Sequence, residues 1–174
     1  EAVRKYDSAA QMARIDRTTG LYHLDAATKI VDEYLEDFAD DLNVMVTFAV
    51  DNFAETSRQY LEHYDESLVK KIGRIIKELF RRDDVGFRTD DDIFGVFAKN
   101  YKDLEKLKER LDEFIELVTA DNSEDHVVIV CSIGAAFSPG AGKTFDELYE
   151  NAETARLNAK NTGENISSIY NERN

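Results

Sequence analysis

Leu42-Asn43-Val44-Met45-Val46-Thr47-Phe48-Ala49-Val50 is apolar on nearly every residue, the pattern of a strand covered on both faces. Elsewhere apolar positions recur at helical spacing. Val3, Tyr6, Ala10 and Ala13 predict a helix over residues 1–15. Its stripe is weak, so its expected partner is an upstream domain or a second chain. Thr18-Thr19-Gly20 interrupts the rhythm, and Asp25 is placed to cap a second helix with the stripe Ile30, Val31, Tyr34, Leu35 and Phe38. Leu68, Val69, Ile72, Ile75, Ile76, Leu79 and Phe80 mark a third, ending near Arg82.

Two short apolar runs follow, Val85 to Arg88 and Ile93 to Phe97. Thr89-Asp90-Asp91-Asp92 joins them as a hairpin. Tyr101, Leu104, Leu107, Leu111, Phe114, Ile115 and Val118 predict another helix, and His126 to Phe137 a strand. Phe145, Leu148, Ala152, Ala155 and Ala159 lie on a last helix that stops near Gly163. From Leu42 to Phe137 the order is β-α-β-β-α-β. The expected class is α/β (α+β): a ferredoxin-like core, its mainly antiparallel central sheet flanked by helices. Right-handed crossovers set the first strand beside the hairpin, so the hairpin tip comes near that strand's end.

The 174 residues suit one domain. A chain opening on Glu1 is expected to be a segment of a longer protein, which could itself be membrane-anchored. The sequence has no signal-peptide pattern and no apolar run near the roughly 18 residues of a membrane span, so the domain itself is expected outside the membrane. A net charge of −14 argues against nucleic acid as a partner, and a nucleotide would need a local basic pocket. The single cysteine, Cys131, excludes an internal disulfide, and its apolar setting reads as a buried thiol. His23, His63 and His126 are too scattered for a zinc site.

Four segments carry a resemblance. Asp16-Arg17-Thr18-Thr19-Gly20-Leu21-Tyr22-His23 is similar to the opening motif Asp-x-Leu-Thr-Gly-Leu-Tyr-Asn of GGDEF domains. Ala49-Val50-Asp51-Asn52-Phe53 stands where that family has Asp-x-Asp-x-Phe. Arg88-Thr89-Asp90-Asp91-Asp92-Ile93-Phe94 stands in place of Arg-Tyr-Gly-Gly-Asp-Glu-Phe. Ser132-Ile133-Gly134 and Ala159-Lys160-Asn161-Thr162-Gly163-Glu164-Asn165 resemble the last strand and the closing Ala-Lys-x-x-Gly-Arg-Asn. The ordered set covers about Ala13 to Ile169 and implies a nucleotidyl-cyclase-like fold, with residues 1–15 a signalling or linker helix and 16–170 the domain.

The resemblance implies a diguanylate cyclase, which joins two GTP molecules with Mg²⁺ held by carboxylates, each subunit of a dimer presenting one GTP. The ligand positions here are Ala49 and Ile93, which bind no metal, and Asp90 and Asp91 replace the signature glycines. The guanine-reading positions fall on Ser57 and Glu66. Phe53 and Lys160 are what remains of the phosphate pocket, and Glu164 replaces its basic neighbour. A degenerate domain without catalysis or cofactor is therefore expected, acting as a cytoplasmic relay or dimerisation module of cyclic di-GMP signalling. Arg81 and Asp84 match the family's inhibitory Arg-x-x-Asp site for cyclic di-GMP; they also suit a plain ion pair, and a supporting arginine of some relatives falls on Asp112. Asp51, Asp90, Asp91 and Asp92 could hold a cation or form a solvated acidic turn, and Asp51 could simply cap the strand end. Lys160 also reads as a surface charge near a helix end. The alternative is a residual enzyme, either a cyclase or a weak GTPase or ATPase using Asp51 and Asp92.

Overall fold

Strand β2 (Asn43–Val50) is buried along its whole length, as its unbroken apolar run predicts. The computed structural model describes residues 14–63, 66–90, 92–120 and 127–171. Around β2, the chain runs β1 (Tyr22–His23), α1 (Leu24–Phe38), then α2 (Phe53–His63), α3 (Leu68–Leu79), β3 (Val85–Arg88), β4 (Ile93–Ala98), α4 (Leu104–Thr119), β5 (Cys131–Ser138), α5 (Phe145–Thr162) and β6 (Ile166–Ile169). Among the described residues the strands form one sheet, in the order β1-β3-β4-β2-β5-β6. β2 is antiparallel to both β4 and β5, β3 is antiparallel to β4, and only the outer strands β1 and β6 pair parallel. From β2 to β5 this is the ferredoxin-like βαββαβ arrangement.

Alternation along β2 sends its side chains to two cores. Val44, Val46, Phe48 and Val50 pack with Ile72 and Ile76 of α3 and Leu111 and Phe114 of α4. Met45 packs on the other face with Val31 and Leu35 of α1 and Leu148 and Ala152 of α5. Helix α5 lies unusually close to the sheet. A Cβ on Gly134 of β5 would stand 1.9 Å from the Ala152 carbonyl oxygen and 2.4 Å from the Arg156 nitrogen. Ser67 caps α3 by accepting from the Lys70 N–H, and Thr144 caps α5 by accepting from the Glu147 N–H. Among the described residues no helix is long and apolar enough to cross a membrane.

Several local expectations are corrected. His23, not Asp25, occupies the cap position of α1; Asp25 lies in the first turn, where its charge faces the helix dipole. Phe38 leaves the buried stripe: it is 47% exposed and stacks on Tyr34, ring centroids 4.7 Å apart. Strand β5 begins at Cys131, and His126 lies outside the described residues. Most of the helix expected over residues 1–15 also lies outside them; Ile15 forms a β-bridge with Tyr22. Helix α2 and strands β1 and β6 give little sequence signal. Thr56 and Tyr60 are the buried described residues of α2, β1 is two residues long, and the Ile-Ser-Ser-Ile strand is only partly buried.

Candidate functional site

Ala49 near the end of β2 sits directly opposite Ile93, the first residue of β4, and opposite Ser132 of β5. Directly opposed residues of antiparallel strands carry their Cβ atoms about 5 Å apart on the same face. Carboxylates at the first two positions would therefore converge on one cation. A methyl and a branched alkyl group stand there instead, and neither offers an oxygen to a divalent ion. The residues present do not fit the Mg²⁺ that the resemblance implies.

The nearby carboxylates are engaged by the chain's own donors. Asp51 Oδ1 accepts from the Ser132 hydroxyl at 3.2 Å and lies 3.9 Å from Lys160 Nζ. Ser132 Oγ in turn accepts from Arg156 Nη1 at 3.0 Å. Arg156 also grips Glu153, through Nε at 2.5 Å and Nη2 at 3.0 Å. Ser132 and Arg156 are both buried. The result is a chain of hydrogen bonds and ion pairs, Glu153–Arg156–Ser132–Asp51–Lys160, along the strand end where Ala49 lies.

Asp92 is held elsewhere. Arg88 Nη2 donates to its Oδ1 at 2.7 Å, while Arg88 Nη1 donates to Asp16 Oδ2 at 3.2 Å. Asp92 takes φ +57°, a left-handed value that Asp tolerates better than most residues. Asp16 also accepts from the Thr19 N–H and hydroxyl. Burial disfavours the charged form of Asp16, but the donors Thr19 and Arg88 outweigh it and hold the carboxyl below its ordinary value. The opening motif and the hairpin are thus tied through one guanidinium, which also lies over the buried ring of Phe94. Asp90 is exposed at the hairpin tip, and Asp91 lies outside the described residues. Among the described residues no three His, Cys, Asp or Glu side chains gather as a metal site.

The other expected positions scatter. Phe53 opens α2 and packs on the core. Ser57 is half-buried on α2 and Glu164 is exposed, while Glu66 pairs with Arg74 at 2.6 Å. Arg81 and Asp84 follow the end of α3. Asp84, its side chain 3% exposed, accepts from the Arg81 N–H at 3.0 Å and the Lys99 N–H at 3.0 Å. Arg81 Nε lies 3.6 Å from the same carboxylate, and Arg81 Nη2 donates to the Lys99 carbonyl. Asp112 is on α4 and lines a separate groove with Phe137 and Tyr170. Cys131 is buried, its thiol pushed up to about 12 by burial, with Asp51 adding to the shift. Sequence reading missed Arg156. Its signal was spacing: Ala152, Arg156 and Lys160 succeed each other at four-residue steps on one helix face.

Comparison with known proteins agrees with this architecture. The family profile described as "Diguanylate cyclase, GGDEF domain" matches residues 13–166. A probable diguanylate cyclase of Escherichia coli, DgcT, is 30% identical over 121 residues, 67% of this chain and 26% of that protein. The cyclic di-GMP phosphodiesterase PdeR of the same organism is 28% identical over 162 residues, 91% of this chain and 24% of that protein. The chain therefore spans about a quarter of the length of these curated relatives. Among solved structures, the coiled coil and GGDEF domain of DgcB from Caulobacter crescentus, in complex with c-di-GMP, superposes with a TM-score of 0.81. That match covers 97% of this chain and 92% of the other at 16% identity, a likeness of fold. With the family's pattern running through residues 13–166 and its fold shared, this chain belongs to the GGDEF domain family.

Proposed function

We propose that this domain serves cyclic di-GMP signalling without catalysis, as a relay or dimerisation module within a longer protein. The observation that carries the reading is the register of β2 on β4, which sets Ala49 against Ile93. Phosphoryl transfer between nucleotides depends on cations that offset the triphosphate charge and activate the attacking hydroxyl. Here the converging positions carry no ligand atoms. The neighbouring acids, Asp51 and Asp92, are neutralised by Lys160 with Ser132 and by Arg88. The domain keeps the residues that fold it and lacks those that would hold the reacting groups.

A second reading, cyclic di-GMP binding at the Arg-x-x-Asp motif, is favoured by one observation: Arg81 is 57% exposed. Asp84 holds a backbone N–H on each oxygen and its side chain is only 3% exposed, so a ligand there would meet chiefly the arginine. Manganese titration followed by electron paramagnetic resonance, with and without GTP, tests the principal reading. Without GTP the free-ion signal should persist at full amplitude, and with GTP it should fall no further than GTP alone lowers it. Stoichiometric capture of Mn²⁺ that disappears in Asp51→Asn would contradict it.

A further inference from the structure

Among the described residues the sheet ends on β1 at one edge and on β6 at the other. Ile15 forms an antiparallel bridge with Tyr22, and the His23 N–H donates to the Arg14 carbonyl at 2.8 Å, so the chain's own backbone closes the β1 edge. No described strand lies outside β6. The Tyr170 N–H donates to the Ala135 carbonyl at 2.7 Å, and alternate residues of a strand bond to one neighbour. That parity points Ile166 and Ser168 toward β5 and turns the backbone N–H and C=O of Ser167 and Ile169 outward.

A groove of about 850 Å³ runs along this strand, walled by Leu104, Lys108 and Asp112 on successive turns of α4. The helix stands back from the edge there, which leaves another strand room to approach. Open edges are ordinarily blunted by a lysine, a proline or an inward charge. Ile166-Ser167-Ser168-Ile169 carries none of these, and Tyr170 after it is uncharged too. In a chain of net charge −14, an uncharged strip is where a second copy meets least repulsion. Lys108 and Asp112 on the groove wall oppose each other in sign and add no net field.

We infer that two copies of this domain pair through β6, antiparallel, about a two-fold axis at Ser168. The inference rests on the dimerisation role proposed above and names the surface that serves it. In this register Ser167 and Ile169 exchange backbone hydrogen bonds with Ile169 and Ser167 of the second copy, the self-complementary contact that a two-fold requires. Moving the axis to Ser167 would instead oppose Ile169 with Asn165, whose N–H is already given to the Cys131 carbonyl. Ile169 packs in the core under α4 and Tyr170 in the core under α5. Alternation therefore puts Ile166, Ser168 and Tyr170 on the α5 side. There Ile166 faces the second copy's Tyr170, a favourable pairing of β-branched and aromatic side chains, and the two Ser168 hydroxyls meet on the axis.

Sedimentation velocity over a concentration series, in buffer free of nucleotide, reads the association. So small an interface should give a dissociation constant on the order of 100 µM. Ser168→Lys and Ser168→Glu each set like charges across the axis and should weaken the dimer about tenfold or more. Mixed in equal amounts, the two variants should recover it as a heterodimer. Ser168→Cys should cross-link under mild oxidation, because directly opposed strand residues suit a disulfide, while buried Cys131 stays unreacted. Leu157→Cys, exposed on α5, should not cross-link. The cysteine change alters one atom, so it keeps the test open if the charged variants fail to fold. A dimer untouched by either charge, or Leu157→Cys cross-linking as readily as Ser168→Cys, would overturn the β6 interface and leave the dimerisation role standing. A parent that stays monomeric to about 1 mM would sink both and leave the edge to a strand of a different protein. GTP turnover would refute the non-catalytic reading without touching the dimer.

Discussion

Replacing Arg156 with methionine should loosen the domain where α5 meets the sheet. The side chain is 9% exposed and makes three directed contacts, two to Glu153 and one to Ser132 Oγ. Methionine fills similar volume but leaves the Glu153 carboxylate, 16% exposed, without its partner. Breaking a buried pair by removing one member costs roughly 3–5 kcal/mol. Partial exposure of Glu153 reduces this to roughly 2–4 kcal/mol, because water reclaims part of the charge. With a urea slope of about 2 kcal/mol per molar, the unfolding midpoint of Arg156→Met should fall by about 1–2 M. The pairing itself is isolated by the double change Arg156→Met with Glu153→Leu, which removes the orphaned charge and should recover most of the loss. Urea titration followed by far-ultraviolet circular dichroism and by tyrosine fluorescence checks both. A single variant within about 0.5 kcal/mol of the parent, or a double variant no better than the single, would refute the reasoning.

Three further outcomes follow from the same geometry. Among the described residues Thr47 Oγ1 is buried with no hydrogen-bond partner, so Thr47→Val should stabilise by about 1 kcal/mol and raise the melting temperature by about 2–4 °C; calorimetry showing a loss would contradict it. Asp16 has a lowered folded-state pKa, so its contribution is present above about pH 4 and fades as pH falls through the folded value. Asp16→Asn should therefore be destabilised near pH 7 by roughly 1.5–3 kcal/mol and converge with the parent at acid pH, as denaturant titrations across pH 2–7 would reveal. Cys131, with its thiol pushed up to about 12 by burial, should react with an aromatic disulfide reagent only after denaturant is added; rapid labelling of the native domain would count against that burial.

Much of the architecture was legible because burial is written in the sequence as apolar blocks. The Leu42–Val50 run and the Val85–Phe97 hairpin left few other pairings open, and topology then predicted the hairpin tip near the end of that strand, where the register sets Ala49 against Ile93. Helix α2 escaped because Phe53–His63 is largely polar and packs lightly, so no stripe stands out. Arg156 escaped for a different reason. An arginine among polar neighbours reads as surface, and its burial follows from the close approach of α5 over Gly134, a distance no linear pattern expresses. Arg81 and Asp84 show the limit most plainly. Spacing allows either a ligand clamp or a loop clamp, and only the backbone N–H groups converging on Asp84 tell which oxygens are taken.

The central claim is that Ala49 and Ile93 leave the domain unable to gather the cations that the family's chemistry uses. It is tested most directly by incubating the purified domain with GTP and Mg²⁺ or Mn²⁺ and resolving the nucleotides by chromatography. The account predicts that GTP persists and no cyclic di-GMP accumulates. Steady formation of the cyclic dinucleotide, abolished by Asp92→Asn, would contradict it.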